Sequence, residues 1–201
     1  MRKFAPWIIL AVVVLIGYSW FKGIYNNAVT LNENVKEAWG NVETSYQRRN
    51  DLIGNLVKTV KGAADFEKST LEAVIKARSE ATAVKIDPAN ITPEQLAQFN
   101  QAQGGLNSAL SRLLVTVEQY PDLKANQNFL KLQDELASTE NQILTARTRY
   151  NEVIKPYNNH IKIFPNNIIA GSMFGFKESP YFDAVAGAEK PVEVEFDFDK
   201  K

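Results

Sequence analysis

An all-α chain with an N-terminal membrane span is predicted by three observations. Phe4 to Phe21 is an uncharged run of eighteen residues, FAPWIILAVVVLIGYSWF, flanked by Arg2, Lys3 and Lys22. From Ile24 onward apolar residues recur in alternating steps of three and four, the period of a helix with one buried face. The breaks between these stripes are short, and short joints make consecutive helices run in opposite directions. The expected architecture is a transmembrane helix followed by a long antiparallel four-helix up-and-down bundle. An irregular aromatic and Gly-rich segment and a short strand-like tail complete it.

As a helix, the apolar run spans roughly 27 Å, close to the ~30 Å hydrocarbon core of a bilayer. Trp7 near one end, and Tyr18 and Trp20 near the other, fall where amphipathic rings prefer the headgroup layer. A cleaved signal peptide would share the charges and the apolar core. The following Gly-Tyr-Ser-Trp-Phe-Lys offers no small-x-small cleavage site, so an uncleaved anchor is the expectation. Arg2, Lys3 and the N-terminal amine outweigh Lys22 and the more distant Lys36 by about one charge. The positive-inside rule then puts the N-terminus in the cytoplasm and the rest of the chain outside it.

The first long stripe is Val35, Trp39, Val42, Tyr46, Ile53, Leu56 and Val60, on a helix continuing from the span. Gly62 reads as its stop and Asp65 as the cap of the next helix, whose stripe is Phe66, Thr70, Val74, Ala77, Ala81 and Val84. Thr92-Pro93-Glu94-Gln95 matches a capping box with Pro at the first helical position. It opens a stripe of Leu96, Phe99, Gln103, Leu106, Leu110, Leu113, Val117 and Tyr120. Gly104-Gly105 is expected to distort that helix, costing about 2 kcal/mol relative to two alanines. The fourth helix carries Phe129, Leu136, Ile143, Tyr150 and Tyr157 on a strict seven-residue, coiled-coil-like repeat, and Pro156 is expected to interrupt it. Four regions result: an anchor over 1–23, a bundle over 24–163, a capping segment over 164–190 and a tail over 191–201.

Composition removes several functions. Lys plus Arg balances Asp plus Glu at 23 each, so no basic surplus points to nucleic acid. No cysteine is present, which removes disulfides, thiolate chemistry and cysteine-ligated metals. The single histidine, His160, lies in Tyr157-Asn-Asn-His-Ile and reads as structural. No nucleophile elbow, Walker loop or dinucleotide fingerprint occurs. Neither a catalytic residue, a cofactor nor a metal is expected.

Asn34-Val-Lys-Glu-Ala-Trp39, Tyr46-Gln-Arg-Arg-Asn-Asp-Leu-Ile-Gly-Asn-Leu-Val57, Thr70-Leu-Glu-Ala-Val-Ile-Lys-Ala-Arg78 and Tyr120-Pro-Asp-Leu-Lys-Ala-Asn126 resemble the signature of LemA-family bacterial membrane proteins. Thr139-Glu-Asn-Gln-Ile143, Ala146-Arg147, Tyr150-Asn151, Phe164-Pro165, Gly175-Phe176 and Tyr181-Phe182 extend the resemblance through nearly the whole chain. The resemblance implies a membrane span and an up-and-down four-helix bundle in the bacterial cell membrane. It implies no particular reaction. Family members are associated with envelope stress and membrane proteases, and one branch with magnetosome organelles. Gly54 departs from the proline common in the family, so a kink there should be softer or absent.

Three polar residues lie on the helix seams. Arg49 falls in register between Val42 and Leu56, and Glu140 and Arg147 adjoin Leu136, Ile143 and Tyr150. A registry-fixing ion pair is the favoured reading, because a buried guanidinium without a carboxylate costs several kcal/mol. Snorkelling to the surface and a polar pocket within the bundle are the alternatives. The aromatic segment with Phe174, Phe176, Tyr181 and Phe182 either closes the bundle's open end or forms a partner surface. In the tail Val192, Val194, Phe196 and Phe198 alternate with acids, as in a strand with one dry face. A strand without a neighbour in its own chain must pair with another copy or a partner, or stay a solvated tail. The expected function is that of a non-enzymatic membrane-anchored scaffold or adaptor. Its partners would be the lipid bilayer, further copies of itself and other envelope proteins such as membrane proteases. A ligand- or stress-sensing ectodomain with a pocket between helices is the alternative.

Overall fold

The computed structural model describes residues 4–62 and 66–183, and within them every regular element is helical. The order is α1 (Ala5–Lys61), α2 (Lys68–Ala83), α3 (Pro93–Val117), the single turn α4 (Pro121–Lys124), α5 (Gln127–Lys162) and a π-helical segment, Asn167–Met173. The strand-like tail with Val192, Val194, Phe196 and Phe198 lies outside the described residues.

Helix α1 is unbroken over 57 residues, about 85 Å at the usual rise. Its character changes along its length. Every side chain from Trp7 to Trp20 is exposed, whereas Val35, Trp39, Val42, Ile53, Leu56 and Val60 are fully buried. Gly54 introduces no break. The first part is long and apolar enough to cross a membrane.

The heptad positions of α5, Phe129, Leu136, Ile143, Tyr150 and Tyr157, are all buried and lie along α1. The two helices run antiparallel, since Ile24 is level with His160 and Arg49 with Glu140. Helices α2 and α3 form an antiparallel hairpin that packs on the distal half of α1. Two apolar clusters result. One centres on Trp39, Phe99 and Tyr150, and the other, further along, on Ile53, Leu56, Leu106, Leu113 and Phe129.

Local chemistry explains the ends. Thr92 and Gln95 exchange the two hydrogen bonds of a capping box, at 3.2 and 3.1 Å. Asn126 accepts from the backbone N–H groups of Asn128 and Phe129 at the start of α5. Three expectations are corrected. Helix α2 begins at Lys68 after Glu67, and Leu71 rather than Thr70 occupies its buried row. Gly104-Gly105 leaves α3 continuous. Pro156 leaves α5 continuous too, because it faces solvent and the Glu152 carbonyl it orphans is on the same wet face.

Candidate functional site

Arg49 occupies a core position of α1 with 1% of its surface exposed. Its Nη1 donates to Glu140 Oε1 on α5 at 3.1 Å and to Asn107 Oδ1 on α3 at 2.9 Å. Its Nη2 donates to Gln103 Oε1 on α3. The guanidinium also lies 4.9 Å from the centre of the Tyr46 ring. Gln103 Nε2 reaches the Ala81 carbonyl at the end of α2, 3.4 Å away. One cation therefore links α1, α3 and α5 directly, and α2 through Gln103. Burying it is tolerable because a carboxylate and two amide oxygens replace its hydration. The pair is not sealed, since the Glu140 side chain is 44% exposed. A polar cleft of about 230 Å³ opens there, lined by Tyr46, Arg49, Asn107, Glu140, Arg147 and Asp183 among others.

Arg147 does not join the Arg49–Glu140 pair; among the described residues it makes no ion pair. It lies two turns beyond Glu140, where its Nη2 donates to the Asp183 carbonyl at 3.0 Å and its guanidinium covers the Phe182 ring at 4.7 Å. Burial raises the Tyr46 phenol above its usual value, and the positive charges of Arg147 and Arg49 oppose that rise. Tyr46 thus stays a neutral hydroxyl at physiological pH.

Phe182 enters the core, 5% exposed, stacked on Trp39 at 5.8 Å and edge-on to Tyr150 at 5.4 Å. Tyr46 and Trp39 meet Phe99 edge-on, extending the aromatic cluster onto α3. The backbone leading to Phe182 is extended, yet no strand among the described residues receives it. Side chains of α5 take that role. Asn151 donates to the Phe182 carbonyl and accepts from its N–H, both at 2.9 Å. Asn158 does the same for Ser179, at 2.9 and 3.0 Å. Tyr157 Oη donates to the Lys177 carbonyl at 2.8 Å. The spacing has a simple cause. Seven helical residues rise about 10.5 Å, and three extended residues cover about 10 Å. Neither Asn151 nor Asn158 was among the candidate residues, although the doublet Tyr150-Asn151, Tyr157-Asn158 repeats at the heptad interval.

The other aromatics go elsewhere. Phe174 packs on Tyr25 at 4.5 Å and Phe21 at 5.9 Å, where α1 leaves its apolar stretch, and Phe176 meets Tyr25 at 6.2 Å. Tyr181 is exposed. Trp7 and Trp20, also exposed, stand near the two ends of the apolar stretch, about 20 Å apart along the helix. His160 Nε2 lies 3.0 Å from the Ile24 carbonyl, and its Nδ1 is 3.2 Å from the Asn27 amide and 3.3 Å from that of Asn166. It fastens α5 to α1 as a donor and acceptor within one contact. No three His, Cys, Asp or Glu side chains among the described residues come together as a metal site would require.

The LemA family model matches residues 38–196, from the Trp39 core through the clasped segment. The chain belongs to the LemA family. Three relatives show the breadth of that family. Magnetosome protein MamQ 2 of Paramagnetospirillum magneticum is 31% identical over 185 residues, covering 84% of this chain and 68% of that protein. Magnetosome protein MamQ of Magnetospirillum gryphiswaldense is 30% identical over the same shares. Protein LemA of Metamycoplasma hominis is 26% identical over 165 residues, covering 81% of this chain and 71% of that protein. Membership agrees with the apolar N-terminal helix in supporting a place at the membrane.

Proposed function

We propose that this LemA-family chain is a non-enzymatic, single-pass scaffold of the bacterial cell membrane. In this reading the N-terminus is cytoplasmic and an antiparallel four-helix bundle projects on the other side, where it assembles with further copies and with other envelope proteins. The observation that carries the reading is the continuity of α1. One helix serves as both the exposed apolar stretch and the central stripe of the core, without a flexible joint. A hinge would let the bundle search for soluble ligands; an unbroken helix holds it at one angle to the bilayer, which suits repeated assembly on a surface. The names of the magnetosome relatives, proteins of a membrane organelle, favour a structural role of this kind.

Assembly is tested with the full chain in membranes. Single cysteines at the exposed apolar positions Leu130 and Leu144, in a chain with no cysteine of its own, should crosslink into dimers and larger species. Removing the residues after Pro191 should lower that assembly while leaving helicity intact. Monomers alone at every crosslinker length would defeat the scaffold reading. C-terminal alkaline phosphatase and green fluorescent protein fusions decide orientation, and fluorescence without phosphatase activity would reverse it.

The cleft beside Arg49 and Arg147 favours a second reading, a sensor of a small polar ligand. A ligand bound only by the folded state raises stability by RT ln(1 + [L]/Kd). Under this reading small carboxylates or phosphates raise the melting temperature, and Arg147→Ala abolishes the shift. No shift with either class would remove it.

A further inference from the structure

We propose that residues 163–174 form a second membrane contact, an apolar foot that enters the interfacial layer of the bilayer beside the point where α1 leaves it. The inference rests on the reading of α1 as a membrane span. Among the described residues outside the first twenty, ten large apolar side chains are exposed, and five of them fall in this one stretch of twelve residues. They are Ile163 at 59%, Phe164 at 74%, Ile168 at 49%, Met173 at 60% and Phe174 at 45%. The other five are dispersed from Ile75 to Tyr181, as isolated surface hydrophobes are in most proteins. A cluster of this density marks a contact surface.

Its position names the occupant. His160 is level with Ile24, so Ile163 lies about 5 Å further toward the span, level with Phe21. Phe174 packs directly on Phe21 and Tyr25. If the apolar stretch of α1 crosses a bilayer, the exposed side chains of the foot are already at its surface.

The backbone is suited to that layer. Phe174, Gly175 and Phe176 donate to the carbonyls of Ile169, Gly171 and Ala170 at 3.2, 2.9 and 3.0 Å. Folding back in this way satisfies polar groups that lipid could not. Ile169 and Ala170 are buried against the bundle and fix the foot, leaving Ile168 and Met173 on its outer side. Lys162, held by Glu178 at 2.7 Å, and Lys22 supply long stems whose charged ends can reach headgroups.

The absence of native cysteine makes the test clean. Single cysteines replacing Phe164, Ile168 and Met173 carry an environment-sensitive fluorophore in the full chain, reconstituted in phosphatidylcholine–phosphatidylglycerol nanodiscs. Doxyl labels are placed shallow or deep on the acyl chains. Leu15→Cys reports the span and Val115→Cys the distal end of the bundle. The foot sites should be blue-shifted and lose fluorescence about twofold with shallow doxyl, more than with deep doxyl, as interfacial insertion requires. Val115 should be unaffected and Leu15 quenched by the deep label. Foot sites as wet and unquenched as Val115, with Leu15 quenched, overturn the foot and leave the anchor standing. Blue-shifted but unquenched sites overturn it as well, because they mean that protein, such as a second copy, covers the patch. Leu15 unquenched would overturn the anchor reading, and the foot with it.

Discussion

Replacing Glu140 by glutamine is expected to destabilise this chain more than replacing Arg49 by methionine, although Arg49 is the buried partner. Glu140→Gln leaves a full positive charge at a site 1% exposed, facing only neutral amides and a ring. Stranding a buried charge costs about 3 kcal/mol here, the low end of the usual range, because water reaches the pair from the Glu140 side. Arg49→Met removes the charge itself. The carboxylate of Glu140, 44% exposed, turns to water, and exposed Asn107 rehydrates. The main loss is the partner of buried Gln103, about 1–2 kcal/mol. The double variant should therefore be more stable than Glu140→Gln alone, with the second substitution recovering about 1–2 kcal/mol, since no charge remains to be stranded. Guanidinium unfolding of the detergent-solubilised chain, followed by helical circular dichroism, measures all three. Additive effects, or a larger loss for Arg49→Met than for Glu140→Gln, would refute the argument.

Asn151→Asp keeps the acceptor for the Phe182 N–H but cannot donate to its carbonyl, which should cost about 1–3 kcal/mol and speed hydrogen exchange around residue 182; unchanged protection would mean that the clasp is incidental. Gly54→Pro should cost less than the ~3 kcal/mol usual for a mid-helix proline, because Arg78 Nε already donates to the Asn50 carbonyl at 2.8 Å, the group that would lose its helical donor. Adding Arg78→Ala to that variant should be worse than additive, and simple additivity in a melting series would count against it. Burial raises the phenols of Tyr46, Tyr150 and Tyr157 above their unfolded value of about 10. Their contribution is complete below that pH and is lost as pH rises from there through the folded values, because only the unfolded state then releases the protons. Identified among the seven tyrosines by single replacements with phenylalanine, the phenolates of these three should accordingly appear together with loss of helicity in alkaline titration, and their ionising in the intact fold would contradict it.

The sequence alone determined the helical class, the apolar span and which side chains line the core of α1 and α5. Periodicity is a local property: a stripe of Val35, Trp39, Val42 and Tyr46 can bury only one face, whatever it packs against. It also placed Arg49 and Glu140 on facing seams, because a charge in a buried register demands a partner. It misjudged Pro156, because the carbonyl that proline orphans meets water, and Gly104-Gly105, because the entropic cost of glycine is offset by the packed face of α3 without any distortion of the helix.

Only the tertiary structure decided that Arg147 turns to Asp183 and Phe182, that Phe182 stacks on Trp39, and that Asn151 and Asn158 hold an extended segment without a sheet. These contacts join residues some 20 to 140 positions apart, and no local period encodes which chain segment will return to which groove. Amide side chains are equally at home in water, so their roles became visible only once the backbone groups they satisfy were placed beside them.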